Sequence, residues 1–168
     1  MTYGRIVVPV DFSELSIEAL DYAIDFARAH RSELLIIHMI EPITHTRFIP
    51  DVSEILEHQR ADATEKLAEL EKNIRRRYSR FRSEIHFGPA HEQIPELAKR
   101  AQADLIIMAT HGHTGFHHLF VGSVAERVVR LASCPVLTVK SKDAVSEHGK
   151  KASGKPVRNR RKKARQPE

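Results

Sequence analysis

The chain has a single cysteine, Cys134, among 168 residues, so no disulfide can form within it. That suits a reducing compartment. Cys134 precedes Pro135 at the foot of an apolar strand. It reads as a small packing residue rather than a nucleophile, because free cysteine is among the most often buried side chains. Long apolar runs are missing as well. None approaches the roughly 18 residues that a membrane span requires. The longest, around 34–37 and 105–108, are strand-sized. The opening residues, MTYGRIVVPVD, lack the basic start, apolar stretch and small-residue cleavage site of a secretory signal. A cytoplasmic location without membrane contact is therefore expected.

Large apolar residues are absent from the last 28 positions, where alanine and valine are the only aliphatic types. This segment, 141–168, holds ten of the 27 Lys and Arg and three of the 22 Asp and Glu. Residues 1–140 are left with 17 basic and 19 acidic side chains, so the formal charge of +5 belongs to the tail. A stretch of this composition cannot bury enough surface to offset the cost of ordering. The expectation is a domain over 1–140 followed by a disordered basic tail over 141–168. The run RNRRKKAR at 158–165 is a candidate for weak polyanion binding, with a solubilising tail as the alternative.

Residues 1–140 alternate short apolar runs with helix-period segments. Strands are expected at 5–10, 33–39, 84–87, 104–108 and 135–140, and helices at 13–29, 53–79, 92–101 and 123–132. RIVVPV and DLIIM are apolar enough to be covered on both faces, as parallel strands are. On the long second helix, Leu56, Ala63, Leu67, Leu70 and Ile74 form one stripe. The arginines at its end, Arg75, Arg76, Arg77, Arg80 and Arg82, read as a solvated terminus rather than a nucleic-acid site. Strict alternation predicts an α/β fold: a doubly wound, five-stranded, mostly parallel sheet with helices on both faces. Ligands of such sheets lie beyond the carboxyl ends of the strands, where strand order reverses. The loops after the first and fourth strands are the candidates.

Glycine is scarce, seven residues in all, yet three stand in one stretch, ATHGHTGFHHLFVGS at 109–123. That stretch leaves a buried strand and opens a helix. Gly112, Gly115 and Gly122 permit positive φ or close approach to a ligand, and the free amides of a helix start attract anions. A phosphate cradle is one reading. The other is purely local: Ser123 and Glu126 form S-x-x-E, a capping box, and glycines turn chains.

The stretch resembles the ATP-binding motif of the universal stress protein family, G-2x-G-9x-G-[S/T]. Ala109, Thr110, His111 and Gly112 fill its first part, nine residues follow, and Gly122 and Ser123 close it. The segments IVVPVDFSELSIEALDYA and SVAERVVRLASCPVLTVK are similar to the family's opening and closing elements. The resemblance covers about 1–140 and implies the adenine nucleotide α-hydrolase-like fold. It also implies ATP, with or without Mg2+, between the ends of the first and fourth strands. By position, Pro9, Val10 and Asp11 would line the adenosine, with Asp11 partnering ribose hydroxyls or a metal. Met39 would offer backbone groups to adenine. Met108, Ala109 and Gly112 would flank the ribose and α-phosphate, and Gly115, Gly122, Ser123 and Val124 would contact the phosphates. His113, where family members often carry Arg or Lys, would face the phosphates with less charge. Ala109 replaces the first glycine by one methyl. The resemblance further implies a homodimer through the closing strand, Pro135 through Lys140, with Val136, Leu137 and Val139 contributing.

Two other patterns carry less. GKKASGKP at 149–156 misses the P-loop by Pro156, where the magnesium-binding hydroxyl belongs, and follows no buried strand. His111, His113, His117 and His118 match no zinc spacing. No residue is assigned to position a water at a γ-phosphate, so the leading reading is a nucleotide-binding stress-response protein without strong turnover. The rival is a protein-interaction or dimerisation module of the same fold that binds no nucleotide.

Overall fold

The computed structural model describes residues 2–41, 52–110 and 122–140. Five strands, β1 (Arg5–Pro9), β2 (Glu33–Ile40), β3 (Phe81–Phe87), β4 (Leu105–Ala109) and β5 (Val136–Val139), alternate with α1 (Glu14–His30), α2 (Val52–Arg75), α3 (Ala90–Arg100) and α4 (Ser123–Leu131). The strands form one sheet in the order β3-β2-β1-β4-β5. Every pairing is parallel, so the sheet is wholly rather than mostly parallel. A helix crosses over from each strand to the next, and the order of strands reverses between β1 and β4.

The core has two layers, one on each face of the sheet. Ile6, Val8, Leu34, Ile36 and Ile107 pack with Leu20 and Ile24 of α1 and Leu67 and Ile74 of α2. Val7, Leu35, Ile37, Ile106 and Met108 pack with Ile94 and Leu97 of α3 and Ala125 and Val128 of α4. Burial on both faces explains why the central strands are apolar at successive positions instead of alternating. β4 is buried throughout, whereas the edge strand β5 is half-buried throughout.

Element types follow the sequence pattern, and the differences lie at boundaries. β3 begins at Phe81, three residues before the expected start, and α2 ends at Arg75 rather than 79. The arginine cluster hides both points. In the fold, Arg77 and Tyr78 both donate their amides to the Ile74 carbonyl. The Tyr78 hydroxyl reaches the Ser32 carbonyl. Phe81 packs on the core, with the Arg75 guanidinium 5.0 Å above its ring. Tertiary contacts therefore turn the chain inside a run of charge. Among the described glycines, Gly88 is the one whose conformation demands it: its φ is +123°, and its amide bonds the Ile40 carbonyl at 3.0 Å, closing β3 against β2.

Candidate functional site

The reversal between β1 and β4 opens a mouth at the carboxyl ends of both strands. Ile6 pairs with Leu105 and Val7 with Ile106. Counted along that register, Pro9 stands level with Met108 and Asp11 with Thr110. The two described ends of the glycine-bearing stretch also meet here. The Thr110 amide bonds the Val139 carbonyl at 3.0 Å, and the Gly122 amide bonds the Thr110 carbonyl at 2.7 Å. Thr110 and Gly122, the described residues that flank 111–121, thus meet at the end of β4.

Beyond β1 the chain turns tightly. Phe12 adopts the left-handed conformation, φ 64°, which is strained for an aromatic residue. Asp11 holds the turn: one of its carboxylate oxygens accepts the Ser13 amide at 3.0 Å and the Ser13 hydroxyl at 2.5 Å. Ser13 in turn caps α1, accepting the Ser16 amide at 3.3 Å. The Asp11 amide points to the Ser16 hydroxyl at 3.4 Å.

The expected site residues divide by what they expose. Val10 is 3% exposed and its side chain belongs to the core layer under α1. The Met108 side chain is buried in the opposite layer, and Met39 packs partly against it. The side chains of Val10 and Met108 are therefore committed to the core. Pro9 and Asp11 are half-buried, Ala109 lies at the buried end of β4, and Val124 is half-buried against the α3–α4 layer. Gly112, His113 and Gly115 lie outside the described residues, as do His111, His117, His118 and residues 141–168.

The start of α4 departs from the capping-box expectation. Gly122, not Ser123, is the N-cap, with φ −56° and ψ 150°. Ser123 is the first helical residue, it is exposed, and the N-cap residue, a glycine, makes no side-chain cap bond. At φ −56° Gly122 needs no glycine for its conformation, so close approach is the property left to it. The starts of α1 and α3 differ. Ser13 caps α1, and at the start of α3 the Ala90 amide is taken by the Glu41 carboxylate at 2.9 Å. The α4 amides at Ser123 and Val124 precede the first intrahelical bond, from the Glu126 amide to the Gly122 carbonyl.

His38 was not singled out in the sequence. Its Nδ1 lies 2.8 Å from the Val10 carbonyl oxygen, and its ring lies against Phe12 with centroids 4.5 Å apart. The signal available was a lone histidine two residues before the end of a strand that is apolar from Leu34 onward.

Two further features stand apart. A groove of about 450 Å³ between α2 and β3 is lined by residues including Arg60, Leu67, Glu71, Ser83 and Phe87, and shares none with the mouth. Cys134 is half-buried against the α3–α4 layer. Burial raises its thiol pKa, and the Asp104 carboxylate adds to the rise. Among the described residues no helix is long and apolar enough to cross a membrane, and no cluster of metal-ligating side chains occurs.

Comparison with known proteins agrees with this architecture. Universal stress protein MJ0531 of Methanocaldococcus jannaschii is 33% identical over 143 residues, covering 82% of each chain. The solved structure of the hypothetical protein MJ0577, from the same organism, superposes with a TM-score of 0.77 at 29% identity, covering 84% of this chain and 99% of the other. Universal stress protein UspA from Lactobacillus plantarum superposes with a TM-score of 0.74 at 26% identity, covering 83% and 99%. The sequence profile of the universal stress protein family matches residues 2–140. The chain belongs to the universal stress protein family.

Proposed function

We propose that this protein binds an adenine nucleotide, ATP in the first instance, at the mouth between β1 and β4, and that it serves as a nucleotide-responsive stress protein without strong turnover. The observation that carries the reading is the closure at Thr110 and Gly122. It brings both ends of the glycine-bearing segment, and the α4 amides that precede its first intrahelical bond, to the strand end level with Asp11. Helix-start amides suit phosphate oxygens. Asp11, on the sharp turn after β1, suits the ribose hydroxyls. The donor set is also compatible with Mg2+ carried in on the triphosphate, with no protein metal cage. Solved universal stress proteins of this fold include complexes with cAMP, at 24% identity and a TM-score of 0.65, and with dAMP, at 22% and 0.63. At those identities they support the fold, and the nucleotide reading rests on the residues of this chain. Mass spectrometry of nucleotide carried through purification, followed by calorimetry with ATP, tests it. A protein that carries none and gives no heat with ATP would leave the interaction-module reading standing.

The edge strand β5 favours pairing with a second copy. Its sequence, VLTV, holds no charge, whereas the other edge, β3, presents Arg82, Glu84 and His86. Uncharged edges invite another strand and charged ones repel it. Val129 and Leu131 of α4, which packs against β5, are 52% and 54% exposed. A two-fold dimer through Val136, Leu137 and Val139 covers this edge. Sedimentation of wild type beside Leu137→Lys checks it: the wild type should sediment as a dimer and the variant as a monomer.

A further inference from the structure

β2 alternates its backbone between two neighbours. Glu33 bonds the Gly4 carbonyl of the β1 side, and Leu34 bonds the Arg80 carbonyl of the β3 side. At the far end the Ile37 carbonyl accepts the Val10 amide, and the Ile40 carbonyl accepts the Gly88 amide. Odd positions therefore serve β1 and even positions β3, so the amide and carbonyl of Met39 face the β1 side. The regular next rung would run from the Met39 amide to the Val10 carbonyl. Among the described residues that rung is not made. The Val10 oxygen accepts from His38 Nδ1 instead, at 2.8 Å. A carbonyl can only accept, so Nδ1 carries the hydrogen. Phe12, held at positive φ, packs its ring against the imidazole, tilted by 36°.

We propose that His38 is a positioning residue for the nucleotide base: by drawing the Val10 carbonyl toward its imidazole and out of line with the Met39 amide, it ends the β1–β2 ladder one rung early and leaves the Met39 amide and carbonyl to read the edge of adenine. This rests on the nucleotide reading above. Adenine presents a ring-nitrogen acceptor beside an amino donor, the complement of one backbone amide and one carbonyl. A buried carbonyl needs a donor, and Val10 is 3% exposed. Without the imidazole the nearest ladder donor is the Met39 amide itself. Losing His38 therefore closes the rung and withdraws the base-reading group without touching the phosphate end.

The experiment compares wild type, His38→Phe and His38→Asn. Phenylalanine keeps a ring against Phe12 but cannot donate. Asparagine carries an amide nitrogen where Nδ1 stands and serves as the rescue. Two measurements are made, after thermal melting has verified that each variant is folded. The first is hydrogen exchange of the Met39 amide by NMR without nucleotide. The second is calorimetry with ATP and with inosine triphosphate, whose base reverses donor and acceptor at positions 1 and 6. In His38→Phe the Met39 amide should exchange more slowly, and the preference for ATP over inosine triphosphate should fall about ten-fold, the worth of one to two neutral hydrogen bonds. His38→Asn should retain wild-type behaviour in both. Equal Met39 exchange in wild type and His38→Phe overturns the proposal, as does an unchanged base preference. A wild type that binds neither triphosphate overturns the nucleotide reading and the adenine half of this proposal with it, while the exchange data still judge the His38–Val10–Met39 geometry.

Discussion

Replacing Ser123 by alanine separates two roles that its sequence pattern merges. Were Ser123 the N-cap of α4, its hydroxyl would satisfy a helix-start amide, and its loss would cost about 1 kcal/mol. In a domain of this size that corresponds to a fall of about 3–5 °C in Tm. The structure assigns the cap to Gly122 and makes Ser123 the first helical residue, with no side-chain cap bond. Alanine is the better helix former by about 0.5 kcal/mol at such an exposed position. The melting temperature should therefore stay level or rise slightly. Ser13→Ala is the internal comparison, because the Ser13 hydroxyl accepts from the Ser16 amide and donates to Asp11. It should lose about 1–2 kcal/mol. Binding should respond oppositely. If the exposed Ser123 hydroxyl meets a phosphate, its removal should weaken ATP about ten-fold, the worth of one hydrogen bond to a charged group. Thermal melting by circular dichroism and calorimetry with ATP read the two effects separately. A Tm loss in Ser123→Ala as large as in Ser13→Ala would refute the assignment of the cap. Unchanged ATP affinity would refute the phosphate contact.

Gly122→Val should fold, because φ −56° and ψ 150° admit a branched side chain, yet lose ATP about ten-fold or more by crowding the α4 amides; calorimetry that finds wild-type affinity would move the site elsewhere. His113→Arg keeps its charge where an imidazole of ordinary pKa, about 6.5, loses it. The ratio of variant to wild-type ATP affinity should therefore rise between about pH 6 and 8, and a flat ratio would remove His113 from the phosphates. The raised thiol pKa of Cys134 means that folding favours the neutral thiol. Its contribution is fully present below the unfolded thiol's pKa and is lost as pH rises through the higher folded one. Alkylation of the native protein at pH 8 should accordingly be slower than of the denatured chain, and the alkaline loss of stability shallower in Cys134→Ala. Ending the chain after Lys142 should leave the melting transition unchanged and abolish any salt-sensitive polyanion binding, measured by titration with heparin at two ionic strengths.

The fold was legible because it is written in local terms. Successive apolar positions in RIVVPV, ELLIIHM and DLIIM require cover on both faces, and helix-period segments between them supply it. With the chain crossing over in one hand, a parallel sheet follows. The glycine spacing at 109–123 and Asp11 after the first strand marked the same end of that sheet. Boundaries inside charged runs were not legible, because Tyr78 and Phe81 set them through contacts with Ser32 and the core. The fate of Ser123 was not legible either: S-x-x-E describes a cap equally well one residue out of place, and only the Thr110–Gly122 bond fixes where α4 begins. Least visible was His38. Its character depends on a carbonyl 28 residues away, exposed to it by the turn at Phe12. Sequence determines which residues can bond, and the meeting of two strand ends decides which of them do.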